Sequence, residues 1–148
     1  MVEGDGGFAQ NLQEIGTAEI NKCNIKIFIF DDGGYASIRM TQKNYFKGNY
    51  VGCDKKTGLG LPKWSDLFKP WGVKVVNLNY KNFSRLKNNK DFISKKMVAF
   101  IVSLSPDQTY FPKISSRVLK DGSMASSPIH LMTPNLKKSI EKKVFKYL

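Results

Sequence analysis

The chain has 148 residues and a mass of 16.8 kDa, a length suited to one domain rather than two. Hydrophobic residues make up 41% and aromatics 12%, enough to build a core and to exclude a wholly disordered chain. The net charge is +12, carried by 24 basic residues against 12 acidic ones.

The longest apolar run, Met97 to Val102, falls far short of a bilayer span. Met1 to Asp5 has neither a basic start nor an apolar stretch, so no signal peptide and a cytoplasmic location are expected. Two cysteines, Cys23 and Cys53, make neither a disulfide framework nor a zinc site. The charge is uneven: residues 1–73 hold nine basic and eight acidic residues, whereas residues 74–148 hold fifteen and four. Only Arg39, Arg85 and Arg117 are arginines, and lysine is the poorer residue for bidentate base or phosphate recognition. The lysines are scattered among asparagines and no nucleic-acid motif accompanies them. They read as solvated faces, and neither a nucleic acid nor a membrane is expected as partner.

In chain order, residues 1–3 read as the end of a strand and Gly4-Asp5-Gly6-Gly7 as a tight glycine loop. Phe8, Leu12, Ile15 and Ala18 lie on one face of a helix over roughly 8–21. Ile25 to Phe30 is a β-branched and aromatic run, a buried strand closed by Asp31-Asp32-Gly33-Gly34. Tyr35 to about Lys43 reads as a helix, and residues 47–63, with four glycines and a proline, as a long functional or mobile loop. A short helix over Trp64–Trp71 ends at Gly72, followed by a strand from Val73 to Leu78. Residues 80–90 read as helical, Met97–Leu104 as a strand, and 105–134, with four prolines, as irregular. Leu136, Ile140, Val144 and Leu148 recur every four residues and predict a terminal amphipathic helix. Residues 1–134 would then form one domain and 135–148 the helix. Helices alternating with continuously apolar strands predict an α/β fold, a mostly parallel sheet with helices on both faces.

In such sheets ligands bind at the carboxyl edge. There the Gly4–Gly7 loop runs into a helix, whose first unpaired N–H groups and positive dipole end suit a phosphate. The Asp31–Gly34 loop follows the next strand. Asp5 and Asp32 are 27 positions apart, the length of a helix, a turn and a strand. Neighbouring strands lie about 4.8 Å apart, so both loops can meet over one ion. Carboxylate and carbonyl oxygens are hard ligands that suit Mg²⁺, and a diphosphate would complete the shell.

The stretch GDGGFAQNLQEIGTAEINKCNIKIFIFDDGGYASIR resembles the diphosphate-binding motif of thiamine diphosphate enzymes: GDG, a spacer of some 25–30 residues, then Asn-Asn, often with Gly-Tyr. The "GF…N.QE..T" pattern and Gln42…Phe46 are most similar to the acetolactate synthase and pyruvate decarboxylase group. FPKISSRVLKDGSMASSPIHLMTP resembles acetolactate-synthase-like proteins of bacterial surface-sugar gene clusters. The resemblance covers about residues 3–136 and implies a thiamine diphosphate cofactor, Mg²⁺ and a 2-oxo acid substrate for decarboxylation or carboligation. It implies Asp5, Asp32 and the Gly34 carbonyl as metal ligands, with two diphosphate oxygens and a water completing six. Gly4 opens the motif, Gly6, Gly7 and Phe8 would turn N–H groups to the diphosphate, and Tyr35, Ala36 and Ser37 would pack near the diphosphate and thiazolium.

Two departures stand out. Asp31-Asp32 replaces the family's Asn-Asn, which puts extra negative charge beside a diphosphate. The family's enzymes also carry an N-terminal domain that holds the aminopyrimidine. The chain starts at the motif, so an N-terminally truncated fold is expected, inactive until a protein partner or another copy supplies the pyrimidine-binding domain. The alternative is a non-catalytic remnant or interaction subunit. His130, Trp64 and Trp71 read as structural residues. Ser115-Ser116-Arg117 reads either as an anion site or as a loop anchor, and Cys53 as a thiol with no activating neighbour beyond Lys55 and Lys56.

Overall fold

The computed structural model describes residues 1–147. They form two compact units, Met1–Asp107 and Gln108–Leu148.

The first unit is built on a four-stranded sheet in the order β1-β2-β4-β3, every pair parallel. Its strands are β1 (Val2–Gly4), β2 (Lys26–Asp31), β3 (Lys74–Leu78) and β4 (Val98–Ser103). β2 and β4 are paired along their whole length, from Lys26↔Val98 to Asp31↔Ser103. The apolar runs of the sequence are therefore the sheet, displaced by one residue at their ends. β4 is buried from Val98 to Val102 because both its faces are covered.

Alternation of side chains along the strands divides the core in two. One face carries Ile27, Ile29, Ala99 and Ile101, packed with Phe8, Ile15, Trp64 and Phe68. These last four come from α1 (Asp5–Phe8), α2 (Glu14–Ile20) and α4 (Trp64–Leu67) with its C-cap Phe68. The Phe8 ring stacks on Phe68 and meets Trp64 edge-on, each at 5.7 Å between centroids. The opposite face carries Val98, Phe100 and Val102 with Phe28 and Phe30, covered by Leu86 and Phe92. Phe28 stacks on Phe100 at 4.9 Å. Helices thus cover both faces, as the apolar strand pattern requires.

Several elements differ from the sequence reading. Helical backbone begins at Asp5, inside the expected glycine loop, and continues through a 3₁₀ turn at Ala9–Asn11 into α2. The expected helix over 80–90 is α5 (Tyr80–Phe83), capped by the Asn79 side chain, followed by a 3₁₀ turn at Leu86–Asn88, and the Asn89 side chain caps a new start, α6 (Lys90–Ile93). α3 (Ala36–Tyr45) falls where a helix was expected, but none of its residues is buried.

In the second unit, the stretch expected to be irregular holds an antiparallel hairpin of β5 (Ser116–Val118) and β6 (Met124–Ser126). Gly122 takes φ +83° in its turn, and Asp121 accepts from the Ser123 N–H at 2.9 Å, a local Asx turn. The Ser115 and Thr133 hydroxyls lie 2.7 Å apart and those of Ser116 and Ser126 3.0 Å, side-chain contacts within this unit. The His130 ring rests edge-on against Phe145, 5.3 Å between centroids. The terminal helix is α7 (Lys138–Val144); Ile140 on its expected apolar stripe is exposed, and Leu148 lies outside the described residues.

Candidate functional site

β1 and β2 run parallel in register, Gly4 opposite Phe30, so the segments that leave their carboxyl ends lie side by side. Asp5 is the first residue beyond β1 and is 2% exposed, the one buried charged residue in the described chain. A buried carboxylate requires partners for its oxygens. Oδ1 accepts the Gly6 N–H at 2.7 Å and Oδ2 the Gly34 N–H at 3.0 Å. Asp5 therefore ties the first glycine segment to the second across 29 positions.

Within the second segment, Asp31 Oδ1 accepts the Gly33 N–H at 3.2 Å, and Gly33 and Gly34 take φ of +78° and +155°. This turn carries the chain from β2 to α3. Tyr35 N–H then donates to the Cys53 carbonyl at 2.8 Å, which lays loop 47–63 against the turn. A side chain at Gly34 would run into that carbonyl, and one at Gly6 into the Tyr35 ring. Both glycines are needed for close approach of backbone to backbone or to ring.

The charges are crowded. Burial is the main reason that the Asp5 carboxyl is pushed up from its ordinary value near 3.8 to about 6, and the neighbouring Asp32 adds to the effect. Asp32 is also raised, chiefly by burial, against the pull of the Arg39 guanidinium. Arg39 Nη2 contacts Asp32 Oδ1 at 3.2 Å and donates to the Pro106 carbonyl at 3.1 Å. Two carboxylates held together at such a cost in a partly dry site are a natural seat for a cation. Among the described residues no three His, Cys, Asp or Glu side chains group as ligands. The donor set expected here needs only two carboxylates, with a backbone carbonyl as its third member.

The residues expected to bind cofactor thus gather at one edge of the sheet. Gly4 closes β1; Asp5, Gly6, Gly7 and Phe8 form the first helical turn; Asp32, Gly34, Tyr35, Ala36 and Ser37 lead into α3. The Phe8 side chain points into the core, so only its backbone is available to a ligand. Cys53 is fully buried with Sγ 3.5 Å from Thr57 Oγ1, a structural residue of its loop. Loop 47–63 is well anchored: Asp54 and Thr57 form a reciprocal cap around a 3₁₀ turn. Gln42 brackets Val51, donating to its carbonyl at 2.9 Å and accepting its N–H at 3.2 Å. Sequence reasoning missed Arg39 and the Cys53 carbonyl. An arginine one helical turn past a carboxylate-bearing loop was the available signal for the first; nothing in the sequence marks a backbone carbonyl.

A parallel sheet presenting two glycine-and-carboxylate segments at its carboxyl edge defines a cofactor-binding α/β domain. Residues 1–103 match the family model "Thiamine pyrophosphate enzyme, C-terminal TPP binding domain", and the chain belongs to that family. It is 22% identical over 114 residues to an acetolactate synthase of Arthrospira platensis, which covers 77% of this chain and 19% of that protein. It is 30% identical over 78 residues to the acetolactate synthase large subunit of Porphyra purpurea, covering 53% and 13%. Its fold is similar to that of the thiamine diphosphate-dependent 4-hydroxybenzoylformate decarboxylase of Rhodococcus jostii RHA1. The TM-score is 0.61 at 18% identity, over 73% of this chain and 20% of the other. The chain therefore spans about a fifth or less of these relatives. No described helix is long and apolar enough to cross a membrane.

Proposed function

We propose that this chain supplies the diphosphate- and metal-binding part of an acetolactate-synthase-like enzyme that decarboxylates or carboligates a 2-oxo acid. The observation that carries this reading is the buried Asp5 carboxylate bridging to the Gly34 N–H beside Asp32. Asp5, Asp32 and the Gly34 carbonyl would hold Mg²⁺, and the cation would relieve the repulsion between the two carboxylates. Gly7 and Phe8, in the first helical turn, would present N–H groups to the diphosphate, and Gly6 would do so by exchanging its bond to Asp5 Oδ1. Gly4 sets the entry to that turn, and Tyr35, Ala36 and Ser37 would flank the diphosphate and thiazolium. When bound, thiamine diphosphate supplies the carbanion chemistry by which a 2-oxo acid loses CO₂ and is passed to an acceptor. The protein's own part is to orient the cofactor and neutralise its charge.

The matched residues make up only 19% of the Arthrospira relative, and the pyrimidine-binding region is proposed to come from outside these 148 residues, on a partner polypeptide or in an oligomer. These 148 residues alone are then inactive. The surface-sugar branch is proposed on the resemblance of residues 111–134 alone, a stretch outside the family match. A second reading, a non-catalytic remnant or interaction subunit, is favoured by α3, which buries no residue and has room for a partner. Calorimetric titration with thiamine diphosphate separates the two. Binding that requires Mg²⁺ and is lost in Asp5→Ala supports the cofactor site, and metal-independent or absent binding overturns it. Decarboxylation of pyruvate by the pure chain would overturn the need for a partner.

A further inference from the structure

We propose that Arg39 is a positioning residue that lets an aspartate serve at the cation-facing place of the second loop, by holding Asp32 as half of a charge-neutral pair. The inference rests on the cofactor-site reading above and assigns that site a part that its motif does not contain.

The two segments bring three carboxylates, Asp5, Asp31 and Asp32, to one edge of the sheet. A divalent cation neutralises two charges and a diphosphate adds more negative charge, so the third carboxylate is in excess. Arg39 is the cation that the described residues pair with any of these three. Its Nη2 lies 3.2 Å from Asp32 Oδ1 and 3.3 Å from the Asp32 carbonyl oxygen, so it grips side chain and backbone together. The same nitrogen donates to the Pro106 carbonyl at 3.1 Å, which ties the chain beyond β4 to this loop. The Arg39 and Asp32 side chains are only 12% and 15% exposed, so the pair is poorly screened by solvent.

The local fold puts Arg39 there. The Gly33-Gly34 turn starts α3, and the Arg39 N–H donates to the Tyr35 carbonyl at 2.8 Å, closing its first turn back over Asp32. Arginine suits the task better than lysine: it stays charged and its planar head can bond several acceptors at fixed angles. With Oδ1 held, the carboxylate plane is fixed for whatever binds the other oxygen. The pair as a whole is neutral, as asparagine would be.

The test is a cycle of four proteins, all the full chain: wild type, Arg39→Met, Asp32→Asn and the double variant, with Arg39→Lys as the conservative control. Affinity for thiamine diphosphate at saturating Mg²⁺ is measured by calorimetry, and the unfolding midpoint is measured without ligand. Arg39→Met should weaken binding about tenfold or more, since an unpaired, partly buried carboxylate is left facing the diphosphate. The double variant should recover to within about threefold of Asp32→Asn, and Arg39→Lys should fall between. A merely structural arginine would lower the unfolding midpoint in the single and double variants alike, with no recovery of binding. That result, or an Arg39→Met affinity within about twofold of wild type, overturns the proposal alone. Failure of the wild-type chain to bind the cofactor overturns the site reading, and this inference with it.

Discussion

Asp5 and Gly34 are joined by a hydrogen bond of 3.0 Å from the Gly34 N–H to Asp5 Oδ2, and through it the ends of β1 and β2 act as one unit. An uncharged acceptor could make that bond at less cost. A buried carboxylate without a counter-cation is unstable in a dry site, so its presence is explained better by what binds than by what folds.

The first prediction concerns pH. The folded chain holds the Asp5 carboxyl near 6 against 3.8 ordinarily, so it keeps a proton that the unfolded chain gives up. Ligand-free stability contributed by this group is therefore fully present below about pH 3.8, falls between there and about pH 6, and is level above. Thermal unfolding of the wild type and Asp5→Asn between pH 4 and 8 measures this. The wild type should lose more stability over that range than the variant. Mg²⁺ with thiamine diphosphate should narrow the difference at pH 8, since a cation takes the proton's place. Equal pH profiles for the two proteins would refute it.

The two glycines of the second segment should respond unequally to alanine. Gly33 has φ +78° and open space around a prospective side chain, so Gly33→Ala meets only the left-handed backbone penalty, about 1–2 kcal/mol. Gly34 has φ +155° and the Cys53 carbonyl in the way, so its bridge to loop 47–63 must also break. Gly34→Ala should cost roughly 3 kcal/mol or more and lower cofactor affinity as well. Denaturant melts of both variants give the comparison, and similar losses would contradict it.

β2, β3 and β4 were readable because their apolar runs lie in a sheet covered on both sides, as Phe100 and Ile101 illustrate by burying on opposite faces. The juxtaposition of Asp5 with the second loop was readable from the motif spacing. Less readable were features set by single hydrogen bonds. Asn89 starts a new helix by capping within a stretch expected to be helical, and a polar-rich window gives no periodicity with which to see the break. The β5–β6 hairpin hid among prolines because three-residue strands carry almost no alternation, though Asp121-Gly122 marked its turn. The Arg39 partnership depends on the exact first turn of α3, which composition cannot specify.

Phe8 offers a way to separate backbone from side chain at the site. Its ring belongs to the core, between Trp64 and Phe68, while its N–H is assigned to the diphosphate. Phe8→Leu keeps the N–H and most of the apolar volume but loses two ring pairs, each worth about 0.5–1.5 kcal/mol. Stability should fall by about 1–3 kcal/mol while affinity for thiamine diphosphate changes less than about threefold. A large loss of affinity at little cost in stability would place the ring itself in the site.

The last prediction concerns loop 47–63, whose glycines suggested mobility and whose hydrogen bonds oppose it. Gln42 holds Val51 from both sides of its peptide group, and it projects from α3, a helix with no buried residue. The other end of the loop is held independently by the Asp54–Thr57 cap and by the Cys53 carbonyl on Tyr35 N–H. Gln42→Ala should therefore free residues 47–51 while leaving 53–57 in place. Limited trypsin digestion should show faster cleavage after Lys47 with little change after Lys55 or Lys56, and hydrogen exchange should speed up within 47–51, most at the Val51 amide. Exchange that rises equally across 47–63 would mean that the loop moves as one body, with Gln42 as its only latch.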